Sequence, residues 1–280
     1  MTTDRLAACF RGEAFFLIAG PCVLEDDALN LRVGEALAAI ARDTGLPVIY
    51  KASFDKANRS QPDALRGPGI DDGLRRLERV GEATGLPLLT DVHEPAHAAP
   101  AAQVCNVLQI PAFLCRQTDL LEAAGSTGAL VNVKKGQWMS PEQMAGAVDK
   151  VRRAGAGGTA ATERGTFFGY GDLVVDMRSF GRLREATGAP VIFDGTHSVQ
   201  RPGAAAGASG GDPQFIRPLV LAATAAGADG LFLEVHPDPA SAPSDSTNML
   251  RLDALLPLLR DVLALREAIS GRALAGASAT

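Results

Sequence analysis

The stretch Leu86-Pro87-Leu88-Leu89-Thr90-Asp91-Val92-His93-Glu94 shows the pattern that decides the fold. A proline precedes a short apolar run, which is typical of a buried β-strand, and polar residues follow the run directly. Seven other apolar runs repeat this pattern, so the sequence predicts eight strands in all. In chain order they are Phe15–Ala19, Val48–Lys51, Leu88–Asp91, Val107–Ile110, Ala129–Val133, Thr159–Thr162, Val191–Asp194 and Gly230–Val235.

The segments between the strands carry helix signals. Leu29, Val33, Leu37 and Ile40 have helical spacing and are followed by a stop at Gly45. Ser140-Pro141 with Gln143 has the form of a capping box. An apolar stripe of leucines and Val262 predicts a last helix after the eighth strand, comprising Leu252, Leu255, Leu256, Leu259, Val262 and Leu263.

Eight strands that alternate with helices predict a single α/β domain, a (β/α)8 or TIM barrel spanning residues 1–280. The strands begin about 20 to 40 residues apart, a spacing that favours parallel crossover connections over hairpins. A doubly wound open sheet is the alternative, but no G-x-G-x-x-G motif follows the first strand. We expect flexible ends at residues 1–12 and 273–280, and mobile loops at Arg201–Gln214 and Pro237–Thr247.

Composition and charge narrow the class of protein. Of 280 residues, 46% are hydrophobic and 21% charged, which excludes a disordered chain. The net charge of −5 and the absence of a basic run argue against nucleic acid as a partner. The sequence also lacks a convincing membrane span or signal peptide, and its four cysteines contain no C-x-x-C pair. We therefore expect a cytoplasmic protein whose cysteines are thiols.

Cations follow three of the predicted strands. They are Lys51, Lys56 and Arg59 after the second strand, Lys134 after the fifth and Arg164 after the sixth. Because the carboxyl ends of barrel strands share one face, these groups are expected to converge on one cavity. A small substrate with phosphate and carboxylate groups is the simplest partner for them, although each cation on its own could be a solvated surface charge.

Four possible metal ligands follow the first, seventh and eighth strands. They are Cys22, His197, Glu234 and Asp245, and barrel closure makes these strands neighbours. A thiolate, an imidazole and two carboxylates suit one divalent ion such as Zn²⁺, Fe²⁺ or Mn²⁺. The spacing alone leaves open a buried structural thiol at Cys22 and an ordinary loop histidine at His197, and His236 is a possible substitute ligand.

The strings at these strand ends resemble those of the 3-deoxy-D-manno-octulosonate 8-phosphate synthase family. The resemblance spans about residues 15–265, and its most specific piece is Lys56-Ala57-Asn58-Arg59-Ser60. The matching strings are IAGPCVLE (18–25), YKASFDKANRSQ (50–61), RGPG (66–69), LLTDVHEP (88–95), QIPAFLCRQTDLL (109–121), VNVKKGQ (131–137), TERGTFFGYGDLVVDMRS (162–179), VIFDGTHSVQ (191–200) and LFLEVHPDP (231–239).

The resemblance implies an aldol-type condensation of phosphoenolpyruvate with D-arabinose 5-phosphate and water. The products are 3-deoxy-D-manno-octulosonate 8-phosphate, a precursor of lipopolysaccharide, and inorganic phosphate. Members without a metal carry Asn at the position of Cys22, so the resemblance is to the metal-dependent form and implies Cys22, His197, Glu234 and Asp245 as ligands of one divalent ion. It also implies a homotetramer.

The resemblance also implies a binding role for individual residues of the matching motifs. Phosphoenolpyruvate is assigned to Lys51, Lys56, Gln109, Lys134 and Arg164, and the sugar phosphate to Asn58, Arg59 and Ser60, with Arg116 reaching the site of a neighbouring subunit. We expect Lys56, Lys134, His197 and Asp245 at the reacting centre, and Lys135 on the opposite face of its strand.

Three other functions stay open from the sequence. One is the related condensation that gives 3-deoxy-D-arabino-heptulosonate 7-phosphate, although that family has a Lys-Pro-Arg-Thr type of string at Lys56–Ser60. Another is a barrel aldolase in which Lys134 forms a Schiff base. The third is a non-catalytic barrel that senses a phosphorylated metabolite.

Overall fold

The computed structural model describes residues 1–59, 63–168, 171–205 and 208–277. Within these ranges, eight parallel strands form a closed barrel in chain order, because the first strand also pairs with the last. The predicted (β/α)8 barrel is confirmed, and the predicted strands agree with the observed ones to within one residue at each end. The strands are β1 (Phe16–Gly20), β2 (Val48–Lys51), β3 (Leu88–Asp91), β4 (Val107–Ile110), β5 (Leu130–Lys134), β6 (Gly158–Glu163), β7 (Val191–Asp194) and β8 (Gly230–His236).

The barrel has an inner and an outer apolar layer, because successive side chains of a strand point to opposite faces. The inner cluster includes Phe16 and Ile18 of β1 with Phe232 of β8, all at most 1% exposed. The alternate residues, such as Leu17 and Val48, pack outwards against the helices. Near the carboxyl ends of the strands, polar and charged side chains replace the apolar ones on the inner face.

Helices cover the outside of the barrel. Asp26 caps the start of α2 by accepting a hydrogen bond from the Leu29 N–H, and Gly45 ends it at φ 70°, as its sequence predicts. The Gln143 side chain accepts from the Ser140 N–H at 2.9 Å, which is one half of the predicted capping box. The described helices are α1 (Thr3–Phe10), α2 (Asp27–Thr44), α3 (Ile70–Thr84), α4 (Pro95–Val104), α5 (Thr118–Ser126), α6 (Ala145–Ala154), α7 (Ser179–Thr187), α8 (Ile216–Ala225) and α9 (Leu252–Ala277).

The amino end differs from its prediction. Instead of a flexible end at residues 1–12, the structure has helix α1, which closes the amino-terminal end of the barrel. Leu6, Cys9 and Phe10 are buried, and the Phe10 ring lies 5.7 Å from that of Phe16. These residues cover apolar side chains that water would otherwise reach, which stabilises the helix against the barrel. At the other end, α9 continues to Ala277, and residues 278–280 of the predicted flexible segment lie outside the described residues.

Short elements lie over the carboxyl ends of the strands. Gln200–Ala205 and Ala208–Gly211 pair as an antiparallel ribbon, largely within the segment Arg201–Gln214 that the sequence predicts as a mobile loop. A second ribbon joins Thr166–Phe167 to Leu173–Val174, and Leu250–Arg251 pairs with the end of β8. Residues 206–207 of the first ribbon lie outside the described residues. Among the described helices, none is long and apolar enough to cross a membrane.

Candidate active site

A cavity of about 550 Å³ opens at the carboxyl ends of the strands. Most of the residues that the sequence assigns to substrate or metal line it, and they come from both the strand ends and the loops that follow. Buried stems and converging polar heads are typical of a site for a small charged ligand. The predicted residues in its lining are Lys51, Lys56, Asn58, Arg59, Gln109, Lys134, Arg164, His197, Glu234 and Asp245.

The turn after β1 brings the backbone unusually close to β2. A Cβ atom on Gly20 would lie 2.0 Å from the Lys51 carbonyl oxygen, so only glycine fits there. The Lys51 ammonium donates to the carbonyl of Cys22 at 3.0 Å and to Glu234 Oε1 at 2.7 Å. Lys51 therefore links the first strand to the last, inside the cavity.

Two further lysines complete a cationic wall. Lys56 Nζ lies 3.8 Å from Glu234 Oε1. Lys134 Nζ lies 3.2 Å from the centre of the Phe232 ring and donates to Asp194. Burial lowers the pKa of Lys134 to about 8, against the opposing effect of Asp194. These lysines are thus largely removed from water and available to an anion.

Asp194 is shared between Lys134 and His197. Its Oδ2 accepts from Lys134 and lies 2.7 Å from His197 Nδ1, while its Oδ1 accepts from the backbone of Thr196 and His197. Burial opposes ionisation of this carboxyl, but His197 and Lys134 hold its pKa well below the ordinary value. Asp194 therefore orients the imidazole so that Nε2 faces Glu234 and Asp245.

Arg164 presents a free donor. Its Nη2 donates to Gln200 Oε1 at 2.7 Å, and Gln200 Nε2 donates in turn to Asp245 Oδ1 at 3.0 Å. Its Nη1 is buried and has no hydrogen-bond partner among the described residues. Burial also lowers the pKa of the guanidinium. A buried donor without a partner is costly, and an anion in the cavity would satisfy it.

The predicted metal ligands lie close together beside the cavity, whose lining includes His197, Glu234 and Asp245 but not Cys22. Cys22, Glu234 and Asp245 offer a sulfur and two oxygens within 4.8 Å of one another, which makes them a possible metal-binding group. His197 Nε2 lies 3.6 Å from Glu234 Oε2 and 4.0 Å from Asp245 Oδ2. Asp245 takes the left-handed backbone conformation, with φ 51°, to reach this group.

The negative charges around Cys22 would be balanced by a cation. Burial, with the negative charges of Asp245 and Glu234, raises the pKa of Cys22 well above its ordinary value, and the thiol donates to Asp245 Oδ2 at 2.8 Å. Glu234 Oε2 is buried without a hydrogen-bond partner among the described residues. An unpartnered carboxylate oxygen beside a thiol and an oriented imidazole is the donor set that a borderline divalent ion prefers.

His236 does not join the group. Its Nδ1 accepts from the Asp238 N–H at 3.0 Å, and its Nε2 lies 3.2 Å from Glu25 Oε1, outside the cavity. The possibility that His236 is a substitute ligand is therefore wrong, since β8 ends at His236 and the ring turns to the chain that follows.

The residues predicted for the sugar phosphate lie at the mouth of the cavity. Arg59 spans it, with Nε donating to the Leu65 carbonyl at 3.1 Å and Nη2 to the Pro243 carbonyl at 3.2 Å. Asn58 is exposed in the lining, and Ser60 lies outside the described residues. Arg116 is exposed and is not part of the lining of this chain's cavity, so its role toward a neighbouring subunit stays a prediction.

Lys135 is fully buried and, unlike Lys134, is not part of the cavity lining. Its ammonium donates to Thr166 Oγ1 at 3.0 Å and lies 3.4 Å from Glu163 Oε1, which also accepts from the Gly165 N–H. This ion pair fixes the backbone on both sides of Arg164.

We expect Lys135→Met to destabilise the fold by about 3 to 5 kcal/mol, because it leaves the buried Glu163 carboxylate without its cation. Urea unfolding measures the loss. Arg153→Met is the control, since Arg153 and Asp149 form an exposed pair on α6 that contributes little. Equal midpoints for the two variants would contradict the prediction.

Several lining residues have no role in the sequence analysis. Asp91 and Asp194 stand at strand ends, so the position of polar residues after a strand could have identified them. Gln200 follows a short 3-10 helix, His197–Val199, and no local pattern indicates that it bridges Arg164 and Asp245.

Comparison with known proteins identifies the family of this chain. The model of the DAHP synthetase I family matches residues 8–269. The chain is 51% identical to the 2-dehydro-3-deoxyphosphooctonate aldolase of Syntrophotalea carbinolica, over 91% of this chain and 92% of that protein. It is 52% identical to the protein of that name from Trichlorobacter lovleyi, over 91% and 93%, and 50% identical to that from Synechococcus sp., over 91% and 89%. A match of this extent, on a barrel with this cavity, means that the chain belongs to the DAHP synthetase I family.

Proposed function

We propose that the protein is an enzyme that condenses phosphoenolpyruvate with D-arabinose 5-phosphate and water. The products are 3-deoxy-D-manno-octulosonate 8-phosphate and inorganic phosphate. The observation that carries the proposal is the cavity in which Lys51, Lys56, Lys134 and Arg164 converge. Arg164 Nη1 has no hydrogen-bond partner in the part of the chain that the structure describes. The names of the relatives, which are about half identical over nearly the whole chain, support the same chemistry.

The inner cations suit phosphoenolpyruvate. Arg164 and Lys134 would bind its phosphate, while Lys51 and Lys56 would balance the remaining negative charge at the bottom of the cavity. Such groups are preorganised in a largely dry site, where their effect on a charged transition state is several kcal/mol in comparable enzymes.

The reaction develops negative charge at one substrate atom and positive character at another. A bond forms between carbon 3 of phosphoenolpyruvate and the aldehyde carbon, and the aldehyde oxygen becomes negative and takes up a proton. Positive character develops at carbon 2, where water adds and loses a proton. The resulting hemiketal phosphate then becomes a ketone as phosphate leaves toward Lys134 and Arg164, whose charges stabilise it.

A divalent ion fits beside this centre. Cys22, His197, Glu234 and Asp245 would hold it, since Glu234 Oε2 has no hydrogen-bond partner in the described ranges and Asp194 orients His197. When bound, such an ion supplies Lewis-acid activation of an aldehyde or water oxygen. Independently of it, Asp194 holds the proton on His197 Nδ1 and the charge on Lys134.

The sugar phosphate would bind at the mouth. Arg59 already lies across it between the loop after β2 and the loop after β8, and Asn58 lines the same edge. Ser60 and the neighbouring subunit's copy of Arg116 are proposed on the resemblance alone. So are the homotetramer, the role in lipopolysaccharide synthesis and the cytoplasmic location.

Phosphate release tests the proposal. Phosphoenolpyruvate with D-arabinose 5-phosphate should release phosphate, and either compound alone should not. D-erythrose 4-phosphate in place of the pentose phosphate distinguishes the heptulosonate-forming reaction. Absence of release with both sugars would overturn the proposal and favour a metabolite-sensing barrel.

A Schiff-base aldolase is a second candidate, because the lowered pKa of Lys134 is a feature that such enzymes use. Borohydride in the presence of a carbonyl substrate would then attach the substrate to Lys134. Our proposal expects no adduct, since Asp194 holds Lys134 as a charged group.

We expect Arg59→Ala to weaken sugar phosphate binding about 10- to 150-fold, which is the cost of a lost charged hydrogen bond to phosphate. Phosphoenolpyruvate affinity should change little, because Arg59 lies at the mouth of the cavity. Calorimetric titration with each ligand measures both, and Arg75→Ala on α3 is an exposed control. An equal loss for the two ligands would refute the assignment.

A further inference from the structure

Four buried polar side chains form a continuous ladder around part of the inner barrel wall. Asp91 on β3, Gln109 on β4, Asn132 on β5 and Thr162 on β6 are between 0% and 7% exposed. Asp91 pairs in register with Gln109, and Gln109 with Asn132. We call these four residues the polar ladder. Only Gln109 among them has a role in the proposed function.

The hydrogen bonds of the polar ladder have one direction. Asp91 accepts from Ser53 Oγ and from Gln109 Nε2. Gln109 Oε1 accepts from Asn132 Nδ2 at 2.8 Å, and Asn132 Oδ1 accepts from Thr162 Oγ1 at 2.7 Å. Each amide therefore donates toward Asp91 and accepts from the following strand.

The direction is set at Asp91. Burial opposes its ionisation, but the charges of Lys51 and Lys56 hold its pKa well below the ordinary value, so it accepts hydrogen bonds and cannot donate. Gln109 must then present its NH₂ group to Asp91 and its oxygen to Asn132. Asn132 must in turn present its NH₂ group to Gln109, and the Thr162 hydroxyl completes the series.

This order has a consequence for the cavity. The NH₂ group of Gln109 has two protons, of which Asp91 takes one, and Gln109 also lines the cavity. The second proton remains for a ligand. If the amide were reversed, its oxygen would face the anion instead, and a contact that attracts phosphoenolpyruvate would repel it.

We propose that Asn132 and Thr162 are positioning residues, which hold the Gln109 amide in the orientation that Asp91 sets, so that an N–H is directed to the anionic substrate. The inference rests on the proposed function, because phosphoenolpyruvate is the anion concerned. Neither residue contacts the substrate. They act through Gln109, and their influence on binding should disappear when Gln109 is replaced.

The structure offers a matched pair of variants. Thr162→Val removes the hydroxyl that ends the polar ladder. Thr90→Val makes the same change at a residue that is equally buried, faces the helices and donates to the Ala52 carbonyl at 2.9 Å, outside the ladder. Both lose one buried hydrogen bond, so a purely structural role predicts similar effects for the two.

We expect Thr162→Val to weaken phosphoenolpyruvate binding about 3- to 10-fold in calorimetric titration, and Thr90→Val to leave it within about 2-fold. Thr162→Ser, which keeps the hydroxyl, should restore the affinity. In a Gln109→Leu background, Thr162→Val should cause no further loss, because its effect passes through Gln109. If Thr162→Val does not fold, the comparison of Thr162→Ala with Thr162→Ser decides the question.

Equal affinities of the Thr162 and Thr90 variants, or a full additional loss in the Gln109→Leu background, would overturn the inference. These outcomes leave wild-type binding intact and so leave the proposed function standing. A wild-type protein that does not bind phosphoenolpyruvate would overturn the proposed function, and the inference with it.

Discussion

Lys134→Met should reduce turnover about 10²- to 10³-fold or more while the protein remains folded, because it removes a charge aimed at the developing and departing phosphate. Lys134 lies at the carboxyl end of β5, against the Phe232 ring, and its ammonium faces the cavity. Methionine has a similar length and keeps the apolar contact with that ring. Phosphate release under saturating substrates measures the effect.

The fold should tolerate this change because Asp194 keeps other partners. The Thr196 N–H and hydroxyl and the His197 N–H donate to its Oδ1, and His197 Nδ1 lies against Oδ2. A thermal unfolding curve checks this, and Lys150→Met on α6 is a control for loss of a lysine remote from the cavity. Near wild-type turnover of Lys134→Met would contradict the prediction and favour the alternative that Lys134 is a charge without a role in the reaction.

The metal prediction has an equally large expected effect. We expect the purified protein to contain about one divalent ion per chain, to lose activity on treatment with a chelator, and to regain it with Zn²⁺, Mn²⁺ or a similar ion. The physical reason is the group of Cys22, Glu234 and Asp245, with His197 Nε2 within 4.0 Å of both carboxylates. One oxygen of Glu234 has no hydrogen-bond partner among the described residues. Elemental analysis gives the metal content directly.

Substitution of single ligand residues tests the contribution of each one to metal binding and activity. Cys22→Asn should weaken metal binding strongly yet leave some chelator-resistant activity, because an amide can hydrogen-bond where the thiolate would coordinate. His197→Ala should lower metal content without that residual activity. Cys105→Ala is the control, since Cys105 is also a buried thiol but is not part of the group that Cys22 forms with Glu234 and Asp245. A metal-free wild type that stays fully active would contradict the prediction.

The sequence predicts the strand ends well because they depend on local patterns. An apolar run followed by a polar residue locates Lys51, Lys134 and Glu234, and the closed barrel then brings them to one face. The same argument brings Cys22 close to Glu234, although β1 and β8 lie at opposite ends of the chain. Both inferences need only strand order and side-chain alternation.

The sequence predicts less well how loops lie and which side chains bridge two others. The bridge of Gln200 between Arg164 and Asp245 depends on where the ribbon and the loop after β8 settle against each other. The helix at Thr3–Phe10 forms because the open end of the barrel presents apolar surface to it, and no sequence pattern within residues 1–12 shows that surface. Such contacts are fixed by residues distant in sequence.

The pairing of β1 with β8 has a consequence for how the protein matures. Lys51 contacts Cys22 on one side of this junction and Glu234 on the other, so the site exists only after the last strand has docked against the first. Contacts between such distant segments form late, since the loop that they close is nearly the whole chain. A nascent or half-folded chain therefore lacks the part of the site that Cys22, Lys51 and Glu234 form, and the complete site appears only when the barrel closes.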